Sequence, residues 1–260
     1  MTTTDVGRLA LEVLWGAFLL AAAFGALVQR TNFCTMGAVA DVVSMGDWTR
    51  MRQWALAAAV ATLGFAGLAA AGVLGADRTL YASPRWLWLS ALSGGAVFGF
   101  GMVLASGCAS KLLVRIGGGN LKALVVALVA GIAGFATLKG LTAVWRTATV
   151  DRVGAEFARN ADLGTLLAGG LGIGAAQAAT AAGVAVGGAL LAWVLLGGRD
   201  FVRPANIAAG AGVGLLVLGM WWLTGGLGHV AEHPETLEET FLATQSRRAE
   251  GFSFVSPIAY

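Results

Sequence analysis

Residues 164–196 read GTLLAGGLGIGAAQAATAAGVAVGGALLAWVLL, 33 positions without a charge. A helix crosses the hydrocarbon core of a bilayer with about 20 residues, so this run is too long for one straight span. Gly169, Gly170, Gly172 and Gly174 fall within six positions and mark the place for a break. The run therefore predicts a short half-helix over 164–173 and a full span over 175–196. Working outward, the same reading gives spans at 7–28, 52–76, 86–106, 120–145 and 204–224. Trp86, Trp88, Trp221 and Trp222 sit at span ends, as interfacial aromatics do. Pro204 is placed to start a helix. The expectation is an all-α polytopic membrane protein of about six transmembrane helices.

Composition agrees. Hydrophobic residues make up 57% of the 260 and charged residues 12%, about half the ~25% charged share of a soluble domain. The mean hydropathy is +0.77. The 39 glycines are about twice the usual ~7% share, a density that suits closely packed membrane helices. A net charge of +3 is far short of a basic nucleic-acid face, so no nucleic-acid partner is expected. Residues 1–7 carry Asp5 and no base, and the apolar stretch that follows is as long as a span. No cleavable signal peptide is expected, and a multi-pass inner-membrane location is. Charge divides the chain in two: residues 1–224 read as a membrane transport domain. Residues 225–260, with Glu232, Glu235, Glu238, Glu239 and Glu250, read as a polar tail or linker, part of it a candidate amphipathic helix.

The two cysteines sit in an internal repeat. Phe24-Gly25 begins ten residues before Cys34, and Phe98-Gly99 begins ten residues before Cys108. Residues 7–76 and 86–145 thus form two copies of one unit, helix, cysteine segment, helix, with further helices over 164–224. Irregular backbone at membrane depth survives where it is packed in protein or lines a cavity, and transporters build central sites from such segments. Arg30 and Thr31 precede Cys34; Ser106 precedes Cys108, and Lys111 and Arg115 follow it. Residues 78–150 hold seven bases and no acid, a one-signed region that attracts an anion. Broken helices would add N-termini, each offering free N–H groups to an anion. Beside these, a neutral thiol can donate a weak hydrogen bond to a soft, sulfur-containing anion, where a thiolate would repel it. The candidate path residues are therefore Cys34 and Cys108, with Arg30, Thr31, Ser106, Lys111 and Arg115 as candidate attracting or donating groups. Asn32 and Ser110 read as helix caps, Gln177 as an interhelical hydrogen bond, and Glu12 as an interfacial acid. The glycines at 117–119 read as a flexible exit from a re-entrant helix.

Other chemistries find no pattern. There is no CxxC or Cys/His ligand spacing, and the Glu between His229 and His233 does not directly follow the first His as in HExxH. No Walker motif is present. Neither a metal nor a cofactor is expected, and the chain does not read as an enzyme.

The stretches QRTNFCTMGAVADVVSMGD (29–47) and GFGMVLASGCASKLLVRIGGGNLK (99–122) resemble the YeeE/YedE family of inner-membrane sulfur transporters. The tail sequence GFSFVSPIA (251–259) is similar to a linker of that family. The resemblance implies a helical transporter with short re-entrant helices, whose cysteines relay thiosulfate through S–H···S contacts; Cys34 and Cys108 match two of them. It also implies a second, pseudo-symmetric half beyond residue 260: the chain pairs with a complementary half-chain, self-associates, or is a truncated product. Two other functions stand against transport: a membrane thiol oxidoreductase, and a non-transporting subunit of a larger assembly.

Overall fold

The computed structural model describes residues 3–157, 160–172, 174–197 and 201–255. The chain is all-α, with ten helices among the described residues: α1 Thr3–Thr31, α2 Thr35–Met45, α3 Thr49–Ala70, α4 Trp88–Leu104, α5 Ala109–Gly117, α6 Leu121–Lys139, α7 Leu141–Ala148, α8 Leu163–Leu171, α9 Ala175–Leu196 and α10 Pro204–Trp222. Six helical segments are long and apolar enough to cross a membrane: Thr3–Met45, Thr49–Ala70, Trp88–Gly117, Leu121–Lys139, Ala175–Leu196 and Pro204–Leu227. This is a multi-pass membrane protein. Large apolar side chains such as Leu19, Val97 and Leu128 stand exposed on these segments, which is the expected surface where the surrounding solvent is lipid rather than water.

The chain divides into two compact units. The first comprises Met1–Leu27, Arg52–Ser83 and Arg159–Phe252. Its helices meet through missing side chains. A Cβ on Gly183 of α9 would lie 2.8 Å from Ala66 of α3, and one on Gly187 would lie 2.7 Å from Leu63. On α10, Gly210 and Gly214 bear on the Gln53 and Ala57 carbonyls of α3, each at 2.7 Å from the Cβ that is not there. Both pairs have the small-xxx-small spacing that lets membrane helices approach closely. Gln53 Nε2 also donates to Asn206 Oδ1 at 2.8 Å, joining α3 to α10. Gln177, read from the sequence as an interhelical hydrogen bond, is exposed.

The described part of the half-helix predicted at 164–173 is α8, capped by Asp162, whose carboxylate accepts from the Thr165 N–H at 2.9 Å. Residue 173 lies outside the described residues. Gly172, at φ 67°, ends α8 in the left-handed region, where glycine carries no steric penalty. Glu12 pairs with exposed Arg8 one turn away, at 3.3 Å.

Among its described residues the polar tail forms no α-helix and is not wholly solvated. After α10 a π-turn, Leu223–Leu227, leads into a two-stranded antiparallel ribbon of β3 His229–Val230 and β4 Thr240–Phe241. Val230 and Leu242 pack on Val6 of α1, and Phe241 and Ala249 pack on Leu74. Thr224 Oγ1 donates to the Glu250 carbonyl at 2.9 Å. The acidic residues had suggested a solvated amphipathic helix; the apolar residues interleaved among them, Val230, Phe241 and Leu242, decided the outcome by burial. The sequence 256–259, part of the linker-like stretch, lies outside the described residues.

The second unit comprises Val28–Met51, Pro84–Ala158 and Ser253–Tyr260. Here α5 packs on α6 through Leu112, Ala123 and Ala127. The span predicted over 120–145 is broken: α6 stops at Lys139 and α7 starts at Leu141. A Cβ on Gly140 would lie 2.7 Å from the Ala136 backbone, so only glycine allows this close turn. Arg146 pairs with Asp151 at 3.6 Å, and Asp151 accepts from the Ser90 hydroxyl of α4. The antiparallel pair β1 Arg85–Trp86 and β2 Ala155–Glu156 closes the far end of the α4–α7 stretch.

Candidate functional site

Two of the six membrane-crossing segments are interrupted, and each interruption holds a cysteine. In the first, α1 ends at Thr31, Asn32 turns to φ 53°, and Cys34 caps α2. In the second, α4 ends at Leu104, Ser106 turns to φ 55°, and Cys108 caps α5. The left-handed residue stands two positions before the cysteine in both. Such a turn stops a helix by folding the next N–H groups back on its last carbonyls: the Gly107 N–H meets the Met102 carbonyl at 3.0 Å. After each cysteine a new helix starts at once, with Ala38 N–H bonded to Cys34 O and Leu112 N–H to Cys108 O, both at 3.0 Å. The two cysteine segments thus share one backbone geometry.

The two breaks bring the sulfurs together. Cys34 Sγ lies 3.6 Å from Cys108 Sγ, and both residues are buried, at 6% and 7% exposure. Both thiols are free. The N-cap position ordinarily holds Ser, Thr, Asp or Asn, whose oxygen accepts from the N–H two or three residues on. Cys34 and Cys108 occupy it here, and neither thiol makes a cap hydrogen bond, so the first N–H groups of α2 and α5 are left without a side-chain cap. The Ser110 hydroxyl adds a contact at 3.1 Å from Cys108 Sγ. The caps are therefore the cysteines themselves, not Asn32 and Ser110 as the sequence suggested. Asn32 closes α1 in the left-handed region, which a short amide side chain tolerates, and Ser110 lies inside α5.

The flanking cations fall into place around the second break. Lys111 Nζ donates to Asn32 Oδ1 at 3.2 Å, linking the two cysteine segments, and Arg115 Nη1 donates to the Ser106 carbonyl at 3.2 Å. Both side chains line a cavity of about 280 Å³ together with Gln29, Asn32, Val114 and Asn120. Among the described residues no carboxylate pairs with either cation, so the cavity carries uncompensated positive charge. Ser106 contributes its carbonyl to Arg115. Thr31 is half-buried at the end of α1, and Arg30 is exposed and lines no part of this cavity. The glycines expected as a flexible exit instead make a tight turn: Gly119, at φ 85°, and Asn120 bond back to Ile116 and Arg115 carbonyls at 2.9 and 3.1 Å, and Asn120 then caps α6.

One charged pair escaped the sequence reading. Asp41 of α2 and Arg50 of α3 form an ion pair at 3.2 Å. The chain reverses between them at Gly46, φ 68°, whose N–H bonds to Val42 O, and Asp47 caps the start of α3 through the Thr49 N–H at 2.8 Å. A Gly-Asp turn after an 11-residue helix was the available signal: it folds Arg50 back along α2.

Residues 30–255 match the family described as sulphur transport. The chain belongs to that family. Among its curated relatives, a thiosulfate transporter TsuA of Spirochaeta thermophila is 32% identical over 134 residues, 51% of this chain and 39% of the relative. The thiosulfate transporter TsuA of Escherichia coli is 30% identical over 108 residues, 42% of this chain and 29% of the relative. The probable transporter YedE of Escherichia coli is 28% identical over 117 residues, 44% and 26% of the two chains. The shared segment thus spans less than two-fifths of the length of each of these relatives.

Proposed function

We propose that this chain moves thiosulfate, or an anion with the same soft terminal sulfur, across the inner membrane, and that the Cys34–Cys108 pair is the point through which the anion passes. The observation that carries the reading is the pair of buried thiols in contact at the caps of two short helices. Each helix start has N–H groups free of any side-chain cap and adds about half an elementary positive charge. The cavity lined by Lys111 and Arg115, which follow Cys108 on α5, attracts a dianion. A neutral S–H then supplies a weak donor matched to a sulfur acceptor. Weak donors in sequence hold an ion loosely enough for it to leave as well as enter. No bond to sulfur forms or breaks in this passage, so the chain acts as a carrier or channel and not as an enzyme. A complementary half-chain or a second copy of this chain, completing the pathway, belongs to the same proposal.

The test is thiosulfate uptake in cells lacking other routes and in liposomes holding the purified chain. Cys34→Ala and Cys108→Ala should each abolish it at equal expression; wild-type rates in both variants would overturn the reading.

The 3.6 Å sulfur contact also favours a second reading, a thiol oxidoreductase. Closing to the ~2.05 Å of a disulfide would release two protons and two electrons, and a membrane quinone or redox protein would have to accept the electrons. Mass spectrometry after alkylation separates the two: a Cys34–Cys108 disulfide that tracks quinone redox state supports the oxidoreductase, and permanently free thiols during uptake support transport.

A further inference from the structure

The two cysteine-capped helices differ at the third residue after the cysteine. In α5 it is Lys111, and in α2 it is Gly37. The space a side chain would fill at Gly37 is nevertheless occupied. A Cβ on Gly37 would lie 2.7 Å from Arg50 Nη1 and 3.6 Å from the Cys34 Cβ. The Arg50 guanidinium therefore lies over Gly37, the position in α2 that corresponds to Lys111 in α5, three residues beyond the first cysteine. From these observations we infer that Arg50 is an anion-binding residue of the thiol site, the counterpart of Lys111 supplied from α3.

The geometry of the ion pair fits this role. Asp41 Oδ2 engages Nε of Arg50, whereas the atom over Gly37 is Nη1. A guanidinium has five N–H donors in a fixed fork, so a carboxylate on the Nε side leaves Nη1 to serve another acceptor. Asp41 thus holds the fork in place: its side chain is 14% exposed, against 40% for Arg50. Gly37 is explained by the same arrangement. Its conformation is ordinary helix, so glycine is not demanded by the backbone there; the guanidinium is what a side chain would displace. Lys111 and Arg50 are also chemically distinct, a compact ammonium and a planar fork, so the two thiols are flanked by unequal donors.

The inference rests on the anion-transport reading, and thiosulfate binding to the purified chain, followed by calorimetry at fixed ionic strength, keeps the two apart. Arg50→Gln should weaken binding about tenfold, the size expected for one charge-assisted hydrogen bond, and Arg50→Lys should lose only part of that. Arg50→Gln leaves Asp41 without its partner, so R50Q/D41N serves as the variant free of an unpaired carboxylate, and it should show the same tenfold loss. The decisive variant is the exchange G37K/R50A, which gives α2 the cation that α5 carries; it should bind within about threefold of wild type, since the ammonium restores one such contact, while R50A alone should not. Wild-type affinity in R50Q and R50Q/D41N, or no recovery in the exchange variant, overturns the assignment of Arg50 while leaving the transport reading standing. A wild-type chain that binds no thiosulfate overturns both.

Discussion

The two cysteine breaks share a backbone and differ in their charges. Each runs from a membrane-crossing helix through one left-handed residue to a cysteine cap and a short helix. Around the first, the short helix carries Asp41, and its cation arrives from α3. Around the second, the short helix carries Lys111 and Arg115 on itself, with no acid paired to them among the described residues. The backbone is thus the repeated element, while charge is distributed freely over it. A site for a dianion needs donors at given points in space, and which element of the chain contributes them is secondary.

The largest expected effect breaks the comparison at its centre. Cys34→Ala and Cys108→Ala each abolish uptake, and the double variant is no worse than either single one, because residues acting as a unit are not additive; equal partial losses that multiply in the double variant would show that the thiols act separately. Next in size is Leu112→Ala. Leu112 is buried against Ala123 and Ala127, whereas its counterpart in α2 is already the small Ala38. Removing it should cost about 2–5 kcal/mol, read as a fall in thermal unfolding temperature in detergent, so the second break depends on side-chain packing where the first does not. A smaller effect comes from Lys111→Gln, which should weaken thiosulfate binding several-fold and flatten its dependence on salt, since exposed charge is screened; binding that keeps its salt dependence would place the attraction elsewhere. The smallest effect separates the two left-handed residues. Ser106→Gly should stabilise the chain by up to about 1 kcal/mol and Asn32→Gly by less, because Asn bears a positive φ more easily than Ser. Asn32 also gives up its bond from Lys111 when replaced.

Much of this architecture is written in local chemistry. The 175–196 span coincides with α9, and Pro204 opens α10, because an uncharged run bounded by glycine or proline has few other solutions in a membrane. The Phe-Gly spacing drew attention to the two cysteine segments, whose turns share one geometry. What escaped depended on distance along the chain. Gly140 breaks a run that hydropathy alone reads as continuous, since hydropathy does not register a turn between two apolar helices. The tail looked solvated because its acids outnumber its bases, yet its few apolar residues find Val6 and Leu74 more than 150 positions away. Arg50 was out of view because the quoted motif ended at Asp47, and only the turn at Gly46 carries the chain back to Gly37. That the sulfurs touch at all was not legible: spacing placed each cysteine in a break but held no information on how the two breaks face each other.

The peptide groups at the two caps have a consequence for any mutational scan of the site. The first N–H groups of α2 and α5, those of Gly37 and Lys111 among them, have no side-chain cap and belong to the main chain, so exchanging side chains leaves them where they are. Stripping away every nearby lysine and arginine should lower anion affinity to a floor and not to zero. Only amide-to-ester replacement at positions 37 and 111, which deletes the donor and spares the side chain, reaches below that floor.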